Sequence, residues 1–218
     1  ITKQLGDAKL LSKLTKKKII YDFRQNDLKN GGQGAPLTPI FHKMLADKLK
    51  LKKACFVNIG GILNCTIILK DGKMFATDIG PGMCLIDQWI RKKSKNKYDF
   101  DGRIGKSGKV NKIILDQALE NFYDNSNYKQ KKYKSSVSFD INDFNISFVK
   151  GLSLKDGAAT LVEYTAQIIK NIFNDNLNFN NNDKIIFCGG GRKNKFLLDR
   201  INLNKIDIKL IDEYKIDG

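Results

Sequence analysis

An α/β fold built on a mixed five-stranded sheet with flanking helices is predicted from three features of the sequence. Three short apolar segments separated by turn residues follow one another, long stretches with helical periodicity come next, and two more β-rich segments close the chain around a glycine run. The resulting order, β-β-β, helices, β, α, β, is the layout of a ribonuclease-H-like lobe and is more specific than α/β alone.

The elements justify this in turn. ACFVNI (54–59) is strand-like; after Gly60 and Gly61, NCTIILK (64–70) is a second strand, and KMFATDI (73–79) a third. Asp71 and Gly72 between them predict a type I′ hairpin turn, so the three strands form an antiparallel meander. A helix is expected from Cys84 to Lys93 and another from Lys109 to Tyr123, with apolar Val110, Ile113, Ile114, Leu115, Ala118 and Leu119. Residues 124–150 are polar and irregular. Leu154 to Phe173 predicts a long amphipathic helix introduced by Ser153 and Asp156. KIIFCGGG is a buried strand running into glycines, RKNKFLLDRI a short helix and IDIKLI a last strand. Upstream, KIIYDF (18–23) reads as a buried strand that delivers Asp22 to its end. The loop behind it, DFRQNDLKNGGQGAPLTP, puts Gly31, Gly32 and Gly34 where a backbone bends or approaches something closely, and Pro36 and Pro39 fix its exit.

Composition excludes several classes. The net charge is +16, from 39 Lys and Arg against 23 Asp and Glu, but only five of the 39 are Arg and the lysines are scattered. RKKSKNK (91–97) and KQKKYK (129–134) read as solvated loops, and no aromatic RNA-binding signature or Cys/His finger accompanies them, so no nucleic-acid partner is expected. No apolar run approaches the roughly 20 residues that cross a bilayer, so no membrane partner is expected either. Cys55, Cys65, Cys84 and Cys188 lack metal or disulfide-scaffold spacing, which suits a cytoplasmic protein. The single histidine, His42, leaves no His-rich metal site and reads as an ordinary helix residue.

Three turn-and-strand stations share one grammar. NIGGILNCT (58–66) sets Gly60 and Gly61 between strands beside Asn58, Asn64 and Thr66. DIGPGM (78–83) puts Asp78 at a strand end before a rigid corner. CGGGRKN (188–194) follows a strand and opens a helix. Each alone can be a bulge or a tight connection, whereas three at the strand tips of one lobe point to a nucleotide cleft with bare backbone for phosphates.

DFRQNDLKNGGQGAPLTPIFH, NIGGILNCT, DIGPGMCLID, YDFDGRIGKSGKV, DGAATLVEYTA and CGGGRKN, in that order and spacing, closely resemble the anhydro-N-acetylmuramic acid kinase family over almost the whole chain. The resemblance implies membership of the actin, hexokinase and Hsp70 superfamily, with residues 1–50 as the end of a first lobe carrying the catalytic strand, glycine-rich loop and interlobe helix. Residues 51–218 would form a second, C-terminally incomplete ribonuclease-H-like lobe. It implies an enzyme that uses ATP and water to open the 1,6-anhydro ring of anhydro-N-acetylmuramic acid and phosphorylates O6, in cell-wall recycling. By resemblance Asp22 is the base, with Asp27 as second choice. Arg24, Asp27, Gly32, Gly34, Asp78, Gly80, Pro81 and Gly82 are substrate-side residues, and Arg24 pairs with a phosphate or the lactyl carboxylate or holds Asp22. Gly60, Gly61, Asn64 and Thr66 resemble the second phosphate loop, and Gly189, Gly190, Gly191 and Asn194 the adenosine contact. Mg2+ is implied with ATP, held mostly by phosphate and water, with no dedicated protein ligands. The partners implied are the amino sugar and ATP, and a homodimer for the full-length protein.

The chain departs from the family in places. It begins at Ile1 without the family's first phosphate loop and ends at Gly218, so truncation at both ends, and inactivity of the isolated chain, are expected. Met83 stands where asparagine is usual after the GPG corner, and KSSVSF (134–139) lacks the family's glycine and arginine. Two alternatives to this reading are another sugar kinase or nucleotide-binding regulator of the superfamily, which binds ATP without consuming the anhydro-sugar, and a basic nucleic-acid-binding protein with strongly salt-dependent affinity.

Overall fold

The computed structural model describes residues 6–32, 34, 37–124, 139–175, 179, 183–201 and 207–216. The chain divides into two compact units, residues 1–41 and 42–218.

In the first unit α1 (Ala8–Thr15) is opened by Asp7, whose Oδ1 accepts from the amides of Lys9 and Leu10 at 2.9 and 3.0 Å and satisfies two of the helix's orphan donors. A short α2 (Gln25–Lys29) follows, and α3 (Pro39–Lys48) begins at the end of the unit. Residues 18–23, expected as a buried strand, form no strand, and Ile20 and Phe23 are 71% and 62% exposed. A strand is held by hydrogen bonds to a neighbour, and no other strand lies among the described residues of this unit, so apolar composition does not produce one.

The second unit is built on a sheet of β1 (Ala54–Ile59), β2 (Ile62–Ile68), β3 (Met74–Pro81), β4 (Lys184–Cys188) and β5 (Asp207–Leu210), in the order β3-β2-β1-β4-β5. β2 runs antiparallel to β1 and β3, while β1, β4 and β5 are mutually parallel, which is the mixed topology the element order predicts. β1 lies in the middle and is covered on both faces, hence its unbroken apolar run ACFV. Cys55, Val57 and Ile59 point to the larger core. It is formed with α4 (Cys84–Lys93), α6 (Lys112–Asp124), α7 (Leu154–Asp175) and α8 (Lys195–Ile201); a one-turn helix, α5 (Arg103–Lys106), links α4 to α6. Ala54 and Phe56 point to a smaller core with Leu45 and Ala46 of α3, Ile68, Ile186 and Ile211. Each fully buried Ile, Leu or Phe here contributes about 1.5–3 kcal/mol by leaving water.

The β2–β3 hairpin departs from the expected turn. A type I′ turn needs positive φ at both central residues, and only Gly72 has it, at 81°. The Gly72 amide donates to the Leu69 carbonyl and the Leu69 amide to the Lys73 carbonyl, both at 2.9 Å, so the loop is one residue longer and Gly72 takes its left-handed position. Residues 125–138, which include most of the 134–139 segment, lie outside the described residues. Among the described residues no helix is long and apolar enough to cross a membrane.

Candidate functional site

The tips of β1, β3 and β4 meet at Ile59–Gly61. The amides of Gly82 and Met83 donate to the carbonyls of Gly61 and Gly60 at 2.9 and 2.8 Å, laying the GPG corner on the β1–β2 turn. A Cβ at Gly82 would stand 2.3 Å from the Gly60 carbonyl oxygen, so no side chain fits. On the other side Gly191 packs against Ile59, whose Cγ2 would lie 2.3 Å from an added Cβ. Gly189 takes a φ of +77° close to Asn58 Oδ1. The three glycine stations are thus packed backbone on backbone.

Beside them opens a cavity of about 750 Å³. Gly60, Gly61 and Met83 line it together with residues 190–195 and the turn Tyr98–Asp101, and Ile59, Asp87, Leu198, Leu210 and Asp212 complete the lining. Two glycines here differ from the packed ones. Nothing lies within 4 Å of a Cβ added at Gly190, only Cys84 Cβ at 4.0 Å touches one at Gly61, and neither residue has positive φ. The fold leaves room for a side chain at both places, so their bareness serves whatever enters the cavity, as a phosphate approaching backbone amides requires.

The polar groups are set by their surroundings. Arg192 is 2% exposed; its Nε and Nη2 donate to the two carboxylate oxygens of Asp212 at 2.6 and 2.9 Å, and Nη1 donates to the Gly189 carbonyl at 2.9 Å. That guanidinium holds the Asp212 carboxyl below its ordinary range. Asp99 is buried and accepts the Ile104 and Gly105 amides at 2.8 and 2.9 Å, fixing the turn before α5. Asp87, on the first turn of α4, is pushed up by burial, with Arg91 opposing and Asp99 reinforcing the shift. Asn194 caps α8 by accepting the Leu197 amide on Oδ1 at 3.0 Å. Two buried polar atoms of cavity-lining residues, each closed off from solvent, have no hydrogen-bond partner among the described residues: Asp87 Oδ1 and Asn194 Nδ2.

Of the residues expected at a nucleotide, Gly60, Gly61, Gly190, Gly191 and Asn194 line this cavity. Gly189 lies behind it against Asn58 and Ile59. Asn64 and Thr66 lie on β2 outside the cavity wall. Thr66 is buried with its hydroxyl 2.8 Å from His42 Nδ1, and the His42 ring stacks on Phe56 at 4.7 Å. Asp78 Oδ2 accepts the Phe139 amide at 2.8 Å. A Cβ at Gly80 would meet Phe122 of the core at 3.0 Å, and neither Gly80 nor Pro81 lines the cavity.

The first unit holds the rest. Asp22 is exposed in the turn that opens α2, with a left-handed φ of 69° that only a few non-glycine residues adopt, and its carbonyl accepts the Gln25 amide at 3.2 Å. Arg24 precedes α2. Asp27 is spent on the glycine loop: its carbonyl accepts the Gly32 amide at 2.8 Å and its Oδ2 the Gly34 amide at 2.7 Å. A Cβ at Gly32 would fall on the Asp27 carboxylate, and one at Gly34 would touch Leu28 and Arg24. Sequence reasoning assigned no role to Asp87, Arg192 or the Tyr98–Asp101 turn, although each lies in a segment that carries the family resemblance, and it did not single out Asp212. The Asp-Gly pair at 101–102 is the one signal that marked the turn; the ion pair joins residues 20 apart and has no local signature.

The model of the family described as anhydro-N-acetylmuramic acid kinase matches residues 1–218. Proteins named anhydro-N-acetylmuramic acid kinase are similar to this chain throughout: the one from Pelagibacter ubique is 48% identical over all of it, that from Rhizobium johnstonii 40% over 91% of it, and that from Photobacterium profundum 36% over all of it. The chain spans 59%, 51% and 59% of those relatives' lengths. The chain belongs to the anhydro-N-acetylmuramic acid kinase family.

Proposed function

We propose that the full-length protein carrying this chain is a cytoplasmic kinase that uses ATP and water to open the 1,6-anhydro ring of anhydro-N-acetylmuramic acid and phosphorylates O6. The observation that carries the reading is the 750 Å³ cavity walled by bare backbone at Gly61 and Gly190, where neither packing nor φ calls for glycine. Polyphosphate fits there, because backbone amides approach it without a side chain between.

The reaction needs a group that takes a proton as water attacks the anomeric carbon. The C1–O6 bond breaks, O6 attacks the γ-phosphorus, and ADP leaves. Asp22 fits this role better than Asp27. Its carboxylate stands exposed in a turn with left-handed backbone, the kind of strained position functional residues occupy. The Asp27 carboxylate already accepts the Gly34 amide. Arg24, Gly32 and Gly34 then belong to the sugar-facing loop, with Asp78, Gly80, Pro81 and Gly82 as further substrate-side residues, of which Gly82 is held by its amide on the Gly61 carbonyl. Bound Mg2+ supplies charge neutralisation for the polyphosphate. In this reading its ligands are mostly phosphate and water, since a polyphosphate-bound Mg2+ keeps several waters.

The test is to assay the full-length protein for ATP-dependent phosphorylation of anhydro-N-acetylmuramic acid. Formation of the 6-phosphate with stoichiometric ADP is the expected result. Nucleotide binding without turnover of that sugar would overturn the substrate assignment.

A further inference from the structure

Arg192 belongs to the cavity lining, but its side chain is only 1% exposed, and three of its nitrogens are used inside the protein. Nε and Nη2 form a fork on the two carboxylate oxygens of Asp212 at 2.6 and 2.9 Å, while Nη1 donates to the Gly189 carbonyl at 2.9 Å. The Arg192 amide donates to that same carbonyl at 3.3 Å, and the Asn194 amide to the Gly191 carbonyl at 2.9 Å. The turn that holds Gly190 is thus closed by the backbone and the side chain of one residue.

The fork joins the tips of two neighbouring strands. β4 and β5 pair in parallel as far as Phe187 and Leu210, where the ladder ends. From there β4 runs into Gly189, at φ +77°, and β5 into the single 3-10 turn Ile211–Tyr214 that carries Asp212. Arg192 and Asp212 take the ladder's place beside the cavity. For cohesion alone an ion pair is a poor choice: withdrawing a guanidinium from water is costly, and well-packed apolar residues often hold such a junction as well or better. What the fork adds is direction, because a planar guanidinium on two carboxylate oxygens strongly restricts how the groups it joins can be oriented. Glu163 of α7, paired with Arg200 of α8, is the contrasting case: it too is buried, but neither residue lines the cavity.

We infer that Arg192 is a positioning residue for the nucleotide: clamped on Asp212, it sets the Gly189–Gly191 turn so that Gly190 presents bare backbone to the bound ligand. Arg192 acts through the glycine turn and does not touch the nucleotide. The segment that leaves β5 thereby takes part in nucleotide binding through Asp212, while the sugar and the chemical step do not depend on the clamp. This deepens the nucleotide reading of the cavity and rests on it.

ADP binding to the full-length protein, read by calorimetry, and steady-state kinetics with ATP and the sugar test the inference. Arg192→Lys keeps the charge but cannot span Asp212 and the Gly189 carbonyl together. Arg192→Met keeps the apolar stem and removes the fork. Both should weaken ADP and raise the KM for ATP by about ten- to a hundredfold, the scale of a site displaced by about 1 Å, with kcat and the sugar's KM unchanged within about threefold. Asp212→Asn should weaken ADP as well, and joining it to Arg192→Met should add nothing to Arg192→Met alone, because both break one interaction. Glu163→Gln controls for lost stability: it cuts a buried ion pair away from the lining, so it should lower the urea midpoint and leave ADP affinity as it was. Unchanged ADP affinity in Arg192→Lys and Arg192→Met, or an equal loss in Glu163→Gln, overturns the positioning role while the nucleotide site stands. Failure of the unsubstituted protein to bind ADP overturns the nucleotide reading itself and this inference with it.

Discussion

Gly82 and Gly60 touch through their backbones: a Cβ on Gly82 would come within 2.3 Å of the Gly60 carbonyl oxygen, and the next amide, Met83, donates to that same oxygen at 2.8 Å. The contact fixes the GPG corner to the turn that walls the cavity. Gly82→Ala must push the two apart and break at least one of these bonds. A loss of about 1–3 kcal/mol of stability is expected, the usual cost of forcing a methyl into filled space, together with weaker ADP binding. Urea unfolding and calorimetry read both effects, and an alanine variant with unchanged midpoint and affinity would show that the corner does not hold the turn.

A second close approach fixes α4, the helix carrying Asp87. Trp89 is fully buried, its Nε1 donates to the Leu154 carbonyl at 2.9 Å, and a Cβ on Gly157 of α7 would lie 2.4 Å from the indole Cε2. Gly157→Ala is expected to destabilise by about 1–3 kcal/mol. Gly151→Ala is the control: nothing lies within 4 Å of its added Cβ and its φ is not positive, so stability should be unchanged or slightly raised. Equal midpoints for the two variants would count against tight packing between α4 and α7.

His42 predicts a pH dependence. Burial lowers its imidazole from the ordinary 6.5 to about 4. Between these values the unfolded chain holds more protons than the folded one, so stability is complete above about pH 6.5 and falls as the pH drops towards 4. The loss from this group is on the order of 3 kcal/mol once both values are passed. His42→Phe retains an aromatic ring against Phe56 and should flatten the pH 4–6.5 part of the curve, at some cost from the unpaired Thr66 hydroxyl. Parallel curves for the two proteins would remove His42 as the source.

Much of the second unit was legible because its signals are local. ACFVNI is buried on both faces and reads as an unbroken apolar run, and α4 and α7 show their stripes in the sequence. What the sequence misled on, it misled on for want of partners. Ile20, Tyr21 and Phe23 look like a buried strand, yet a strand exists only beside another, and these side chains are exposed. Thr66 looks like one more polar residue of a phosphate turn, but side chains alternate along β2, and Thr66 falls on the face where His42 reaches its hydroxyl. Asp87 and Asp212 were invisible because nothing in a lone carboxylate tells which wall it will line. The glycines were legible as a group but not individually: only added Cβ positions separate Gly82 and Gly191, bare for packing, from Gly61 and Gly190, bare towards the cavity.

The two carboxylates of the first unit should separate cleanly by substitution in the full-length protein. If Asp22 takes the proton from water, Asp22→Asn lowers kcat by about 10²–10⁴ with little change in KM, because a general base acts in the transition state. Asp27 instead organises the loop through the Gly32 and Gly34 amides. Asp27→Ala removes the carboxylate bond to the Gly34 amide while keeping the main-chain bond to Gly32, which loosens the loop, so the sugar's KM rises while kcat falls by less than about tenfold. Gly32→Ala should copy that pattern, since its methyl would occupy the place of the Asp27 carboxylate and force it out. Steady-state kinetics of the three variants decide the matter: a large kcat loss in Asp27→Ala beside an active Asp22→Asn would exchange their roles, because a loop-shaping residue cannot abolish the chemical step while the base remains.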